Sequence, residues 1–231
     1  MQPYNGLLLV NKPEGYSSFG IVAKVRGILR LASGQKNIKV GHTGTLDPAA
    51  TGLLVLAIGK YTKKMPELMK HDKTYLVEMK LGFTSTTGDK EGNITLVSAT
   101  EPDTTEINKA LKNFSGKIMQ KPPAYSAVKI NGQRAYKLAR QGKKVETKSR
   151  LITIYSNKLL RYEYPVVCFE STVSSGTYIR SLVEDIGQYL GSGAYMSNLQ
   201  RTVVGEFNLN SALNIEDLSF ESVQKNLITI E

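Results

Sequence analysis

One cysteine, Cys168, stands in the 231-residue chain, so no internal disulfide can form and a reducing compartment is expected. It lies in the apolar run Val166-Val167-Cys168-Phe169, which predicts buried packing for the thiol in preference to a nucleophile's role. Histidine is almost as scarce. His42 and His71, with one cysteine, leave no convincing metal cluster. No Gly-x-x-x-x-Gly-Lys loop is present to cradle nucleotide phosphates. No stretch approaches the roughly 20 apolar residues of a membrane span, and the N-terminus lacks a signal peptide's basic-then-apolar pattern. A cytoplasmic location is therefore expected. Repeats and low-complexity segments are missing too, which excludes a solenoid. Acidic charge is in the minority: 20 Asp and Glu face 30 Lys and Arg, a net charge of +10. That balance points to a polyanionic partner, and its spread along the chain to a folded basic face, not a disordered arm.

What is present is led by Gly41-His42-Thr43-Gly44-Thr45-Leu46-Asp47-Pro48-Ala49-Ala50-Thr51-Gly52. Glycine frees this backbone, and Pro48 biases Asp47 away from the helical region, so a long shaped loop is predicted. Apolar runs Ile38-Lys39-Val40 and Leu53 to Ile58 flank it as buried strands. From spacing alone Asp47 is a turn or cap residue more readily than a catalytic one.

The same run resembles the signature of the TruB family of tRNA pseudouridine synthases, and further matching stretches extend from about Gly6 to Phe207. The resemblance implies that Asp47 is the catalytic aspartate. It also implies the pseudouridine synthase fold: α+β, with a central mixed, mostly antiparallel sheet flanked by helices and an RNA-binding cleft across it. A monomer is expected.

Along the chain, Gly6 to Val10 reads as a buried strand that leaves Lys12 at its mouth. Lys12 by itself is a solvated loop lysine. The family's Lys-Pro lies beside the active site, which implies a structural or RNA-contact role. Ser17 or Ser18 caps a helix to about Leu31, with Ile21, Val22, Val25, Ile28 and Leu29 on one face. Lys63 precedes a short helix to Lys70 and is assigned to substrate binding. In Lys73 to Gly82, Tyr75, Val77, Met79 and Leu81 share one strand face. A strand tyrosine is ordinarily core; the family's basic-x-Tyr element implies that Tyr75 lies against the target base. Residues 82–92 form a polar loop in which Asp89 and Gly92 match a family motif, while Thr86 stands where many members carry an acid.

Asp103 and Glu106 have capping-box spacing ahead of a helix that buries Ile107, Ala110, Leu111 and Phe114. The segment Pro122-Pro123-Ala124-Tyr125-Ser126-Ala127-Val128-Lys129 resembles the family's Pro-Pro-x-Tyr-Ser-Ala-x-Lys, implying that Tyr125 and Lys129 frame the RNA cleft. An Asn131-Gly132 turn and a basic helix follow. Residues 144–174 predict strands Leu151 to Tyr155, Lys158 to Tyr162, and Val166 to Val173. Thr177 to about Leu190 is a helix that leaves Arg180 off the core face in its first turn. A cation there opposes the helix dipole and hints at a specific partner. Through Gly176-Thr177-Tyr178-Ile179-Arg180 the resemblance makes Arg180 the partner of the catalytic aspartate. Tyr195 to Phe207 predicts a strand, in which Leu199-Gln200-Arg201-Thr202 resembles the family's Leu-Arg-Arg-Thr and places Leu199 at the uracil pocket. The expected layout is a catalytic domain over 1–209, then a short tail over 210–231 with two helix-like fragments and no complete PUA domain.

Pseudouridine formation breaks the bond from ribose C1′ to N1 and joins C1′ to C5. It oxidises nothing and imports no group, so no cofactor and no metal are expected. A carboxylate serves as nucleophile or charge stabiliser, and a guanidinium such as Arg180 favours its charged form. The target base must leave its stack; His42 either is a polar surface residue or fills the vacated space. The implied substrate is the T arm of tRNA, at the T-loop uridine, position 55. The alternatives are the same chemistry on another RNA, or an RNA-binding or RNA-folding module. A metal-dependent nuclease lacks clustered carboxylates.

Overall fold

The computed structural model describes residues 4–126, 128–130, 132–143 and 145–230. Ala127 of the Pro-Pro segment and Asn131 of the Asn-Gly turn lie outside the described residues. The chain forms two compact units, one from residues up to Tyr75 together with those from Gln200 onward, the other from Leu76–Leu199.

The first unit is built on strands Gly6–Lys12 and Thr51–Ile58, antiparallel along their whole length from Gly6↔Ile58 to Lys12↔Gly52. Both read as unbroken apolar runs because both faces of the pair are covered. On one face Leu8, Val10, Leu54 and Leu56 pack with Ile21, Val22, Val25 and Leu29. These last four lie on helix Ser18–Ser33, capped by Ser17 and ended by the left-handed Gly34. On the other face Leu7, Leu9, Leu53 and Val55 pack with Leu68, Val204 and Phe207. Strand Leu213–Asn214 pairs parallel with Gly6–Lys12, and Val40–His42 pairs antiparallel with Thr51–Ile58. The strand expected around Ile38 is thus confined to Val40–His42, and its partner begins at Thr51, which shortens the loop to 43–50.

Residues 195–207 do not make one strand. Ala194–Val204 ends at a turn, and Phe207–Asn208 folds back on Val203 and Val204. Residues after Asn210 hold a strand and helix Phe220–Lys225. They add Ile215, Leu218 and Val223 to the core, and Leu7 and Ile228 exchange two backbone hydrogen bonds of 2.8 Å.

In the second unit the strand order is Ala194–Val204, Lys73–Leu81, Val166–Val173, Arg150–Glu163, Gly116–Gln120; the first two carry residues of both units. Helices Thr104–Asn113 and Ile179–Tyr189 accompany them. The fold is α+β, with sheet pairing mixed and mostly antiparallel. Lys73–Leu81 alternates as expected and buries Tyr75, Val77, Met79 and Leu81. The Asp103–Glu106 capping box is formed.

Arg150–Glu163 is one strand, since register shifts after Ile154 and Leu159 reverse its side-chain parity and disguise its continuity. The polar loop after Gly82 is a hairpin, Phe83–Ser85 pairing with Ile94–Leu96. Cys168 is half-exposed, because alternation in Val166–Val173 gives the buried positions to Val167 and Phe169; its Sγ lies 3.8 Å from Glu78 Oε2.

Candidate active site

The loop that carries Asp47 is fixed through its main chain. Thr43 N–H donates to Val55 O at 3.0 Å. Gly44 O and Thr45 O accept from the Arg201 guanidinium at 3.0 and 3.5 Å. Ser18 Oγ donates to Leu46 O and accepts from Leu46 N–H, both at 2.8 Å. Asp47 O accepts from Ala50 N–H at 3.1 Å, and Pro48 O from Gly15 N–H at 2.9 Å. Every carbonyl from Gly44 to Pro48 therefore has a donor. A segment rich in glycine and proline holds one shape here through these bonds, all from outside it except that of Ala50 to Asp47, and Asp47 sits half-buried at its centre.

Gly52 closes the loop at φ 101°, where a Cβ would come within 2.3 Å of Arg201 O. Only glycine allows the parallel pairing of Arg201 with Gly52 at this spacing.

Lys12 corrects an expectation. It is fully buried, not solvated, and its ammonium donates to Pro13 O, Tyr16 O and Pro48 O at 2.9, 2.8 and 3.2 Å. The ammonium thereby ties the turn after its own strand to Pro48 of the loop.

His42 is half-buried at the end of its strand, and its Nδ1 accepts from Gly44 N–H at 3.4 Å. Burial, and then the charge of Arg201, hold its pKa below the ordinary histidine value. The ring is neutral at pH 7, as the accepted bond requires. Tyr75 is 8% exposed. Lys63 is exposed in the short 3-10 turn Gly59–Lys64.

Lys73 and Arg201 appear in quoted motifs without a role, yet both are buried beside the loop. Lys73 Nζ donates to Met69 O and His71 O at 2.9 and 2.5 Å. Burial first, then Arg201, bring its pKa down to about 8, with Asp72 opposing. Strand parity carries the signal for both. Lys73 alternates with Tyr75 and Arg201 with Leu199, so each points where its apolar neighbour points.

Lys73 also gives the protein a pH-dependent stability. Its folded pKa lies below the unfolded value near 10.4, so the folded state sheds the proton first. The penalty of burying the charge is complete below pH 8 and is relieved as pH rises from about 8 to 10. Between those limits wild type should gain on the order of 2 kcal/mol relative to Lys73→Met. Denaturant midpoints of both proteins at pH 7 and pH 9.5 check this; a constant difference contradicts it.

In the second unit Arg180 is also buried, at 6% exposure, and not off the core face as expected. One partner of its guanidinium is Asp89, Nη1 to Oδ2 at 3.2 Å. It also donates to Thr87 O at 3.1 Å and Tyr125 O at 2.9 Å. Asp89, the matching acid of the 82–92 motif, thus has a role that the motif alone does not indicate. Thr87 Oγ1 and Glu91 N–H both donate to Asp89 Oδ1, at 2.5 and 3.1 Å. Tyr125 is half-buried with its carbonyl on Arg180, Lys129 is exposed, and Leu199 is 8% exposed. Arg134, Lys137 and Arg140 are exposed near Lys129 in sequence, a basic surface suited to phosphates. Among the described residues, no group of three or more His, Cys, Asp and Glu is placed to hold a metal ion. No described helix is long and apolar enough to cross a membrane.

Comparison with known proteins gives the same direction. The model of the TruB family pseudouridylate synthase N-terminal domain matches residues 30–179, and that of the tRNA pseudouridylate synthase B C-terminal domain matches 180–227. A tRNA pseudouridine synthase B of Clostridium kluyveri is 44% identical over 98% of this chain and 76% of its own length. One of Parabacteroides distasonis is 42% identical over 97% of this chain and 96% of its own. Among solved structures, a chain from a Cbf5-Nop10-Gar1 complex superposes with a TM-score of 0.71 at 32% identity, over 92% of this chain. This chain spans about half of that one, 53%.

Proposed function

The chain belongs to the TruB family of pseudouridylate synthases, and from that membership we propose that it isomerises the T-loop uridine of tRNA, in the cytoplasm. Asp47 is the essential carboxylate. The observation that carries this reading is the main-chain scaffold around Asp47, donors placed on every carbonyl from Gly44 to Pro48. A carboxylate that must meet a ribose or uracil carbon in one geometry benefits from a loop that need not rearrange.

The other roles rest on the resemblance to the family. By it, Tyr75 lies against the base, and His42 stacks in the space the flipped uridine leaves. By it too, Arg180 pairs with the catalytic aspartate, Leu199 lines the uracil pocket and Tyr125 frames the RNA cleft. Lys63 and Lys129 are exposed and hold phosphates, so affinity falls as salt rises. The relatives' name supports tRNA as the substrate, and no redox or group donor enters the balanced reaction.

The test uses tRNA transcript tritiated at uracil C5. C5 loses its hydrogen on becoming the glycosidic carbon, so wild type releases close to one tritium per tRNA. A transcript with cytidine at the T-loop position releases none. Release that persists with that transcript contradicts the target; no release from either contradicts the chemistry.

A further inference from the structure

Arg201 is 2% exposed and lies among the largest fully buried side chains of the protein. Its fork reaches main chain on both sides of Asp47. Nε donates to Leu53 O, after the loop, at 2.8 Å; the terminal nitrogens donate to Gly44 O and Thr45 O, in the first half of the loop. A lysine has one nitrogen and cannot span three carbonyls in this arrangement. A Cβ at Gly44 would stand 3.4 Å from Arg201 Nη1 and 3.7 Å from Lys73 Cε, ordinary contact distances, so the guanidinium packs directly beside this residue. The next residue, Thr202, donates from Oγ1 to Thr74 O at 3.2 Å, which ties the same strand to the one bearing Tyr75.

We propose that Arg201 is the positioning residue of the reaction: it locks the carbonyls two and three residues ahead of Asp47, and so sets the carboxylate's place without touching substrate. This rests on the pseudouridylation reading above. Its charge has a second effect. The groups around it are Lys73, with Asp72 opposing, and His42, and Arg201 disfavours the protonated form of both. A neutral His42 keeps Nδ1 free to accept from Gly44 N–H, so fork and charge act on the same turn of the loop.

The experiment compares the full chain with Arg201→Gln and Arg201→Lys, reading single-turnover tritium release, Kd for the tRNA transcript, and the NMR titration of the His42 imidazole. Arg201→Gln is expected to slow turnover about 100-fold with Kd within about threefold, and to raise the His42 midpoint. Arg201→Lys should return the His42 midpoint towards wild type and leave turnover low, because it restores the charge and not the fork. A general loss of structure would not separate these readouts. Turnover of Arg201→Gln within threefold of wild type overturns the proposal, as does recovery of turnover in Arg201→Lys. Should Arg201→Gln fail to fold, Arg201→Lys decides alone: turnover about 100-fold below wild type at Kd within about threefold is expected, and turnover within threefold of wild type overturns the proposal. Wild type that releases no tritium sinks the pseudouridylation reading, whereas the His42 titration still decides for or against Arg201.

Discussion

Asp47→Asn should stop turnover, lowering single-turnover tritium release by at least about 10⁴-fold, with Kd for tRNA unchanged within about threefold. The two side chains have nearly the same shape, and the loop is held by its main chain. Folding and the basic surface therefore survive, while the negative charge and the nucleophilic oxygen do not. A pure RNA-binding module would lose nothing, since binding of phosphates needs cations and not this carboxylate. Filter binding and tritium release on the same preparation decide. Release above a hundredth of wild type contradicts an essential Asp47, and a large rise in Kd would mean that the substitution disturbs RNA binding.

Lys12→Met should lower stability by about 2–4 kcal/mol and the melting temperature by roughly 5–15 °C. Methionine fills a similar volume but donates nothing, and Pro13, Tyr16 and Pro48 lose charge-assisted bonds from a fully buried ammonium. Pro48 keeps its bond from Gly15 N–H, which limits the damage on that side. Turnover should fall alongside, because Pro48 follows Asp47 directly. Were Lys12 an RNA contact, the variant would melt like wild type and bind tRNA more weakly. Thermal melts and Kd measurements separate the two.

Local pattern made much of the architecture legible. Alternation in Lys73–Leu81, the amphipathic face of Ser18–Ser33 and the Asp103–Glu106 capping box are short-range signals, and each stands in the structure. Strand Arg150–Glu163 read as two because its register shifts change parity in mid-strand. The tail region read as fragments because its partners, Val10, Asn11 and Leu7, lie two hundred residues earlier in the chain. At the site, the Asp47 loop announced itself by composition and resemblance, but its supports did not. Lys12 and Arg180 are long charged side chains, which as a class belong on the surface. The Arg180 cation is surrounded by acceptors from distant segments, and Lys12 joins two nearby carbonyls, those of Pro13 and Tyr16, to the distant one of Pro48, so no local window contains either cluster whole. The charge spread along the chain thus divides into exposed cations, such as Lys63 and Lys129, and buried cations held by acceptors of the fold, such as Lys12 and Arg180.

The most direct measurement of the central claim is product mapping. An unmodified tRNA transcript is incubated with the protein and buffer alone, digested, and its nucleosides and fragments separated by chromatography and mass spectrometry. Pseudouridine has the mass of uridine but a carbon glycosidic bond, so it separates from uridine and resists cleavage at C1′. One pseudouridine per transcript, confined to the T-loop fragment and missing with Asp47→Asn, is the predicted result. Pseudouridine elsewhere in the transcript, or none in any fragment while the RNA remains bound, would contradict it.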